Sequence, residues 1–89
     1  MSSTIEVEFE RRIKIKSFTY VTNTGSGWGH HTLTLSALIG SEWIVLGSNT
    51  TNYSPSTSGP IVHTEFVEIE NEVYVKKFKF VLFKPAGTW

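Results

Sequence analysis

The 89-residue chain contains no cysteine and no aspartate. Without cysteine no disulfide braces the fold and no thiolate is available to ligate a metal. That absence fits cytosolic synthesis better than an oxidising compartment. Without aspartate, a loop-type calcium site is not expected. The formal net charge is zero, so the basic excess of a nucleic-acid binder is missing. No apolar run reaches the roughly 18 residues of a membrane-spanning helix. The opening stretch "MSSTIEVEFE" has neither the basic start nor the apolar core of a signal peptide. Nucleic acid and membrane are therefore not expected as partners. The nucleophile elbow, the phosphate-binding loop and the dinucleotide fingerprint are all absent, so no catalytic set can be assembled. The expectation is a non-enzyme without metal or cofactor.

What the chain does have is alternation. "IEVEFE" sets Ile5, Val7 and Phe9 against Glu6, Glu8 and Glu10. "RIKIK" and "TLTLS" continue the period of two, and "VYVKKFKFVLF" is rich in valine, phenylalanine and lysine. No useful window repeats at 3.6 residues. These are strand signals. They predict strands near 4–12, 13–22, 31–39, 42–48, 62–70 and 73–83, and a two-residue Gly40-Ser41 link suited to a hairpin. Parity changes inside two of these strands. Ile13 and Ile15 are odd-numbered but Phe18 and Tyr20 even; Val73 and Val75 are odd but Phe78, Phe80 and Leu82 even. A β-bulge or a handover between sheets produces such a change. The expected architecture is one all-β domain over 1–89, an antiparallel β-sandwich or small jelly roll. A domain this small buries only about 60–65% of its unfolded surface, and oligomerisation is a standard way to compensate. A homo-oligomer is therefore expected.

Seven of the eight glutamates fall in two clusters, Glu6/Glu8/Glu10 and Glu65/Glu68/Glu70/Glu72. Basic clusters follow each: Arg11/Arg12/Lys14/Lys16 and Lys76/Lys77/Lys79/Lys84. The first reading is a solvated sheet face that resists edge aggregation. Antiparallel pairing of the first and last strands would instead set acid beside base, and a subunit contact would use the same pattern.

Two stretches invite a functional reading. "TGSGWGHHTL", residues 24–33, reads as a turn in which glycines permit positive φ. Trp28 there either caps the core or stacks on a sugar or protein partner. His30 and His31 are adjacent on a strand and point to opposite faces, so they do not chelate one ion together. One of them with His63 would need a glutamate to complete a zinc set. Residues 49–60, "NTTNYSPSTSGP", read as a long polar loop anchored by Tyr53. Trp43, in "SEWIVLG", reads as core. Trp89 has no strand of its own and suggests docking. The candidate binding residues are thus Trp28, His30, His31, Tyr53 and Trp89.

"HHTLTLSALIGSEWIVLGS" and the late strand "VYVKKFKFVLF" resemble parts of a discoidin-type, galactose-binding-like β-sandwich. The turn before the tryptophan is shortened to Gly40-Ser41-Glu42, and no sugar-binding residue carries across. The small size, absent cysteine and threonine/serine-rich loop are also similar in style to phage capsid decoration (cement) proteins and tail accessory modules. That resemblance implies a virion protein, made in a host cytoplasm, that binds capsid or tail proteins as an oligomer. The discoidin resemblance implies the alternative, a carbohydrate-binding module using Trp28, Tyr53 and one of His30 or His31.

Overall fold

Period-two alternation yields six strands: β1 (Ser2–Ile13), β2 (Ser17–Asn23), β3 (His30–Ile39), β4 (Glu42–Asn52), β5 (Val62–Glu68) and β6 (Val75–Phe83). The computed structural model describes residues 2–23, 29–53, 61–70 and 72–85. Trp28, Trp89 and the loop segment 54–60 lie outside the described residues. All pairings are antiparallel. One sheet has the order β1-β6-β3-β4 and the other is the two-stranded β2-β5. The fold is all-β with two sheets, as the alternation predicts.

Both parity changes have a physical cause. Ile13 ends its ladder opposite Val75, and by Ser17 the chain has entered the smaller sheet opposite Glu68. The change across residues 13–18 is therefore a handover between sheets. The second change, near Val75, coincides with a register break. Glu8 pairs with Lys77 but Ile13 with Val75, so five steps along β1 oppose two along β6. A further bulge lies in β4. Leu35 faces Gly47 and Ser36 faces Val45, leaving Leu46 as the extra residue, buried at 7% exposure. Gly40, at φ 65°, is the first residue of the two-residue β3–β4 turn. No other described residue has a positive φ, so this is a type II′ hairpin.

Inward-facing rows run across the large sheet. Ile5, Phe80, Leu35 and Gly47 form one, Val7, Phe78 and Ala37 another, and Ser3, Leu82, Leu33 and Asn49 a third. From the small sheet, Phe18 and Val67 face them as a cross-strand pair. The core unites Leu35, Ala37, Leu46, Val67, Ile69 and Phe78, with Phe18, Phe80 and Ile13 packed against it. The sheets approach most closely at Gly47, where a Cβ would lie 2.7 Å from Ile69 Cδ1. Glycine there admits the smaller sheet.

Two expectations change. Residues 49–52, read as the start of a loop, are the last rungs of β4, with Asn49 opposite Leu33 and Asn52 opposite His30. Their Asn/Thr composition looks like a loop, but cross-strand pairing with β3 overrides propensity. Trp43 is half-buried on the outer face rather than in the core, because it sits beyond the β4 bulge opposite Leu38. Lys79 Nζ lies 4.5 Å above its ring, a cation–π contact. The charge clusters pair within the molecule. Glu6 faces Lys79 and Glu8 faces Lys77, with Lys77 Nζ 3.7 Å from Glu6. Among the described residues no helix is long and apolar enough to cross a membrane.

Candidate functional site at the open side of the sandwich

Two strands cannot cover four. β5 lies against β4, where Val67 and, just past the end of the strand, Ile69 pack on Gly47. β2 lies over β3 and β6. Phe18 packs edge-on against Phe80 with ring centroids 5.3 Å apart, and Tyr20 packs against His31 at 5.5 Å. No described strand covers β1. Ile5, on the inward side of β1, is consequently 64% exposed and Phe9 39%. Between β1 and β2 the sandwich gapes into a groove of about 370 Å³. Its walls are Ile5, Phe18, Tyr20, Leu33, Phe80 and Leu82. Ser3 and Thr22 line it as well. The groove is wide, apolar and bounded by two strand edges.

Beside it the interior turns polar. Asn49 Nδ2 donates to Tyr20 Oη at 2.8 Å. Tyr20 Oη lies 2.9 Å from His31 Nε2, and His31 Nδ1 lies 3.1 Å from Thr51 Oγ1. Thr51 Oγ1 donates to the Gly29 carbonyl at 2.8 Å. For a neutral imidazole only one assignment of protons satisfies every link. The Tyr20 hydroxyl, accepting from Asn49, donates to Nε2. The hydroxyl of Thr51, committed to Gly29, accepts from Nδ1–H. The network thereby assigns the tautomer of His31. The chain of bonds ties β2, β3 and β4 together where apolar packing ends. Burial is the largest influence on the Tyr20 hydroxyl and pushes its pKa above the ordinary 10.0; the Asn49 bond opposes this and the Glu65 carboxylate adds to it.

A second polar group lies on the small sheet's inner face. Tyr53 donates its hydroxyl to Glu65 Oε1 in a short hydrogen bond. Its ring stacks on His63, with centroids 3.7 Å apart and planes 6° from parallel. The Glu65 bond is the main cause of a raised pKa at Tyr53, because it favours the protonated hydroxyl. Thr22 and His63 are cross-strand partners. Thr22 Oγ1 and His63 Nε2 are buried without a hydrogen-bond partner among the described residues.

Of the sequence-predicted residues, His31 is 1% exposed and its ring nitrogens are engaged in the network. His30 is half-buried on the opposite face, opposite Asn52. Tyr53 continues the β3–β4 ladder, its amide bonding the Gly29 carbonyl at 2.9 Å. Tyr53 and His31 therefore share one end of the sandwich. Trp28 and Trp89 lie outside the described residues. Sequence reasoning missed Tyr20, Asn49, Thr51 and Glu65. The signal was available, since Gly47, Asn49 and Thr51 share a parity that puts them on the face of Leu35. Among the described residues, no group of three or more His or Glu side chains is placed to hold a metal ion. Compared with protein families, curated proteins and solved structures, the chain matches none.

Proposed function

We propose that the chain is a non-catalytic structural and interaction protein that works within an oligomeric assembly, using the open side of its sandwich as the contact surface. One observation carries this reading: the inward row of β1 is left uncovered beside an apolar groove, with Ile5 64% exposed. An exposed apolar surface of this kind marks an interaction site. The polar interior supports the same reading, because Tyr20, His31, Asn49 and Thr51 hydrogen-bond to one another and to the Gly29 carbonyl. The finer form of the proposal is a virion component that decorates or cements a phage capsid or accompanies its tail; it rests on the resemblance in size and composition. Light scattering over a concentration series, followed by binding to intact particles, tests it. A closed oligomer, or a monomer that binds particles, supports the reading. A stable monomer with no affinity for any particle overturns it.

A second reading has its own observation. Thr22 Oγ1 and His63 Nε2 lack hydrogen-bond partners among the described residues, and His63 stacks on the Tyr53 ring, polar groups and an aromatic of the kind that hold a sugar. One face of Tyr53 is taken by His63, so a sugar would use the remaining polar edge. A glycan array with the wild type and Tyr53→Ala decides this carbohydrate-binding alternative. Binding lost in the variant supports it, and silence of the wild type removes it.

A further inference from the structure

We infer that the groove between β1 and β2 is filled by β1 of a second copy of this chain, in a twofold dimer whose axis runs along the strands. The inference rests on the interaction reading above and names its partner.

The two sheets show a deficit and a surplus. Among the described residues the small sheet lacks a strand beside β2, while the large sheet has one strand, β1, that no described strand covers. A twofold axis along the strands exchanges the two layers of the sandwich. It lays β1 of the second copy in the layer of the small sheet, next to β2. The same operation lays the second copy's β2 next to β1 in the other layer. Both deficits close at once, and the contact is isologous, the commonest form of dimer.

Strand direction agrees. β1 is parallel to β3, since both pair antiparallel with β6. β2 runs opposite to β3: Phe18 packs near Phe80, which faces Leu35, whereas the later Tyr20 packs near the earlier His31. Rotation about the strand direction preserves these senses, so β2 would meet the incoming β1 antiparallel and add it as a third strand. Height agrees too. Such a rotation involves no slide along the strands, so the incoming Ile5 sits level with Ile5, Phe80 and Phe18. In the same register the incoming Ser3 lies opposite Tyr20, whose side chain also lines the groove.

Charge selects this contact over the simpler one. β2, "SFTYVTN", carries no charge and no proline, so its edge lacks the usual protection against strand addition. β1 carries Glu6, Glu8 and Glu10 on its outer side. A symmetric β1–β1 pairing centred on any of residues 6 to 9 sets glutamate opposite glutamate, which is unfavourable. Against β2, in the register that sets Thr4 opposite Thr19, Glu6 meets the uncharged Ser17, and Glu6 and Glu8 keep Lys79 and Lys77 as their partners.

The test exploits the missing cysteines, because any introduced thiol is the only one in the chain. Thr4 and Thr19 are exposed and point outward from β1 and β2. The proposed pairing brings Thr4 of one copy close to Thr19 of the other. Single variants Thr4→Cys and Thr19→Cys are mixed under mild oxidation and analysed by mass. A disulfide-linked dimer from the mixture, with none from Thr4→Cys alone, is the expected result. Linkage of Thr4→Cys to itself overturns the pairing while leaving an oligomeric assembly standing. A chain that stays monomeric at every concentration also overturns the inference, and if that monomer binds particles the broader reading survives. As an independent check, Ile5→Glu places a carboxylate in the filled groove. Ile5 is mostly exposed in the single chain, so the circular dichroism of the fold is unchanged while dimer affinity falls at least roughly tenfold. Unchanged dimerisation of Ile5→Glu overturns the proposal.

Discussion

The two sides of this sandwich are built from the same kind of strand and end in opposite conditions. On the side of β3, β4 and β5, Leu35, Ala37 and Phe78 reach 0% exposure and the sheets touch at Gly47. On the side of β1, Ile5 stays 64% exposed at an inward position, and Phe9 stays 39% exposed although its ring packs edge-on against Phe78 with centroids 6.0 Å apart. Alternation alone does not bury a residue. A strand acquires an inside only when a second layer lies over it, and here the second layer is two strands wide. The contrast separates what holds the single chain together from what is left over for a partner.

The largest expected effect breaks that contrast directly. Phe78→Ala removes a ring with no exposure and is expected to cost about 3–5 kcal/mol. Ile5→Ala, made at an inward position in the next row, is expected to cost less than about 1 kcal/mol in the monomer, because its side chain is already largely hydrated. Urea unfolding at concentrations low enough to exclude self-association measures both. Equal costs would mean that β1 is covered in solution by part of the same chain.

Next in size is the hydrogen-bond chain that closes the packed side. Tyr20→Phe keeps the ring against Phe18 and His31 but leaves Asn49 Nδ2 and His31 Nε2 without their common partner. The expected cost is about 1–3 kcal/mol, the penalty of stranding polar groups inside. A cost near zero in the same urea titration would show that water replaces the hydroxyl. Asn49→Ala, which deletes only the first donor, is expected to cost less than Tyr20→Phe.

Much of this architecture is legible in the residues. Six strands follow from alternation, the hairpin from Gly40-Ser41, and the crossing between sheets from the parity change between Ile15 and Phe18. The charge clusters were ambiguous because a solvated face and a paired face need the same residues; only the register, Glu6 with Lys79 and Glu8 with Lys77, distinguishes them. The end of β4 was hidden because asparagine and threonine favour loops, although Asn49 and Thr51 keep the inward parity of the strand. Trp43 was misplaced because one extra residue, Leu46, reverses the faces of β4, and a bulge leaves no mark in an apolar run. The groove was invisible because it is a property of strand count in each layer. Local pattern does not state how many strands each sheet receives.

The smallest effect concerns pH and compares the two tyrosines with the rest of the molecule. Both hydroxyls have pKa values above the ordinary 10.0, Tyr20 chiefly through burial and Tyr53 chiefly through its bond to Glu65. For an acid whose folded-state pKa is raised, the stabilising contribution is complete below the unfolded value near 10 and is lost as pH rises through the folded value. The wild type should therefore lose thermal stability as pH rises above 10. Melting temperatures measured across that range for the wild type and the double variant Tyr20→Phe/Tyr53→Phe isolate the difference. The variant starts lower and its curve is flatter, so the gap between the two narrows as pH rises. Parallel curves would mean that the two hydroxyls titrate alike in the folded and unfolded chains, and that the polar end of the sandwich is as open to water as the groove beside it.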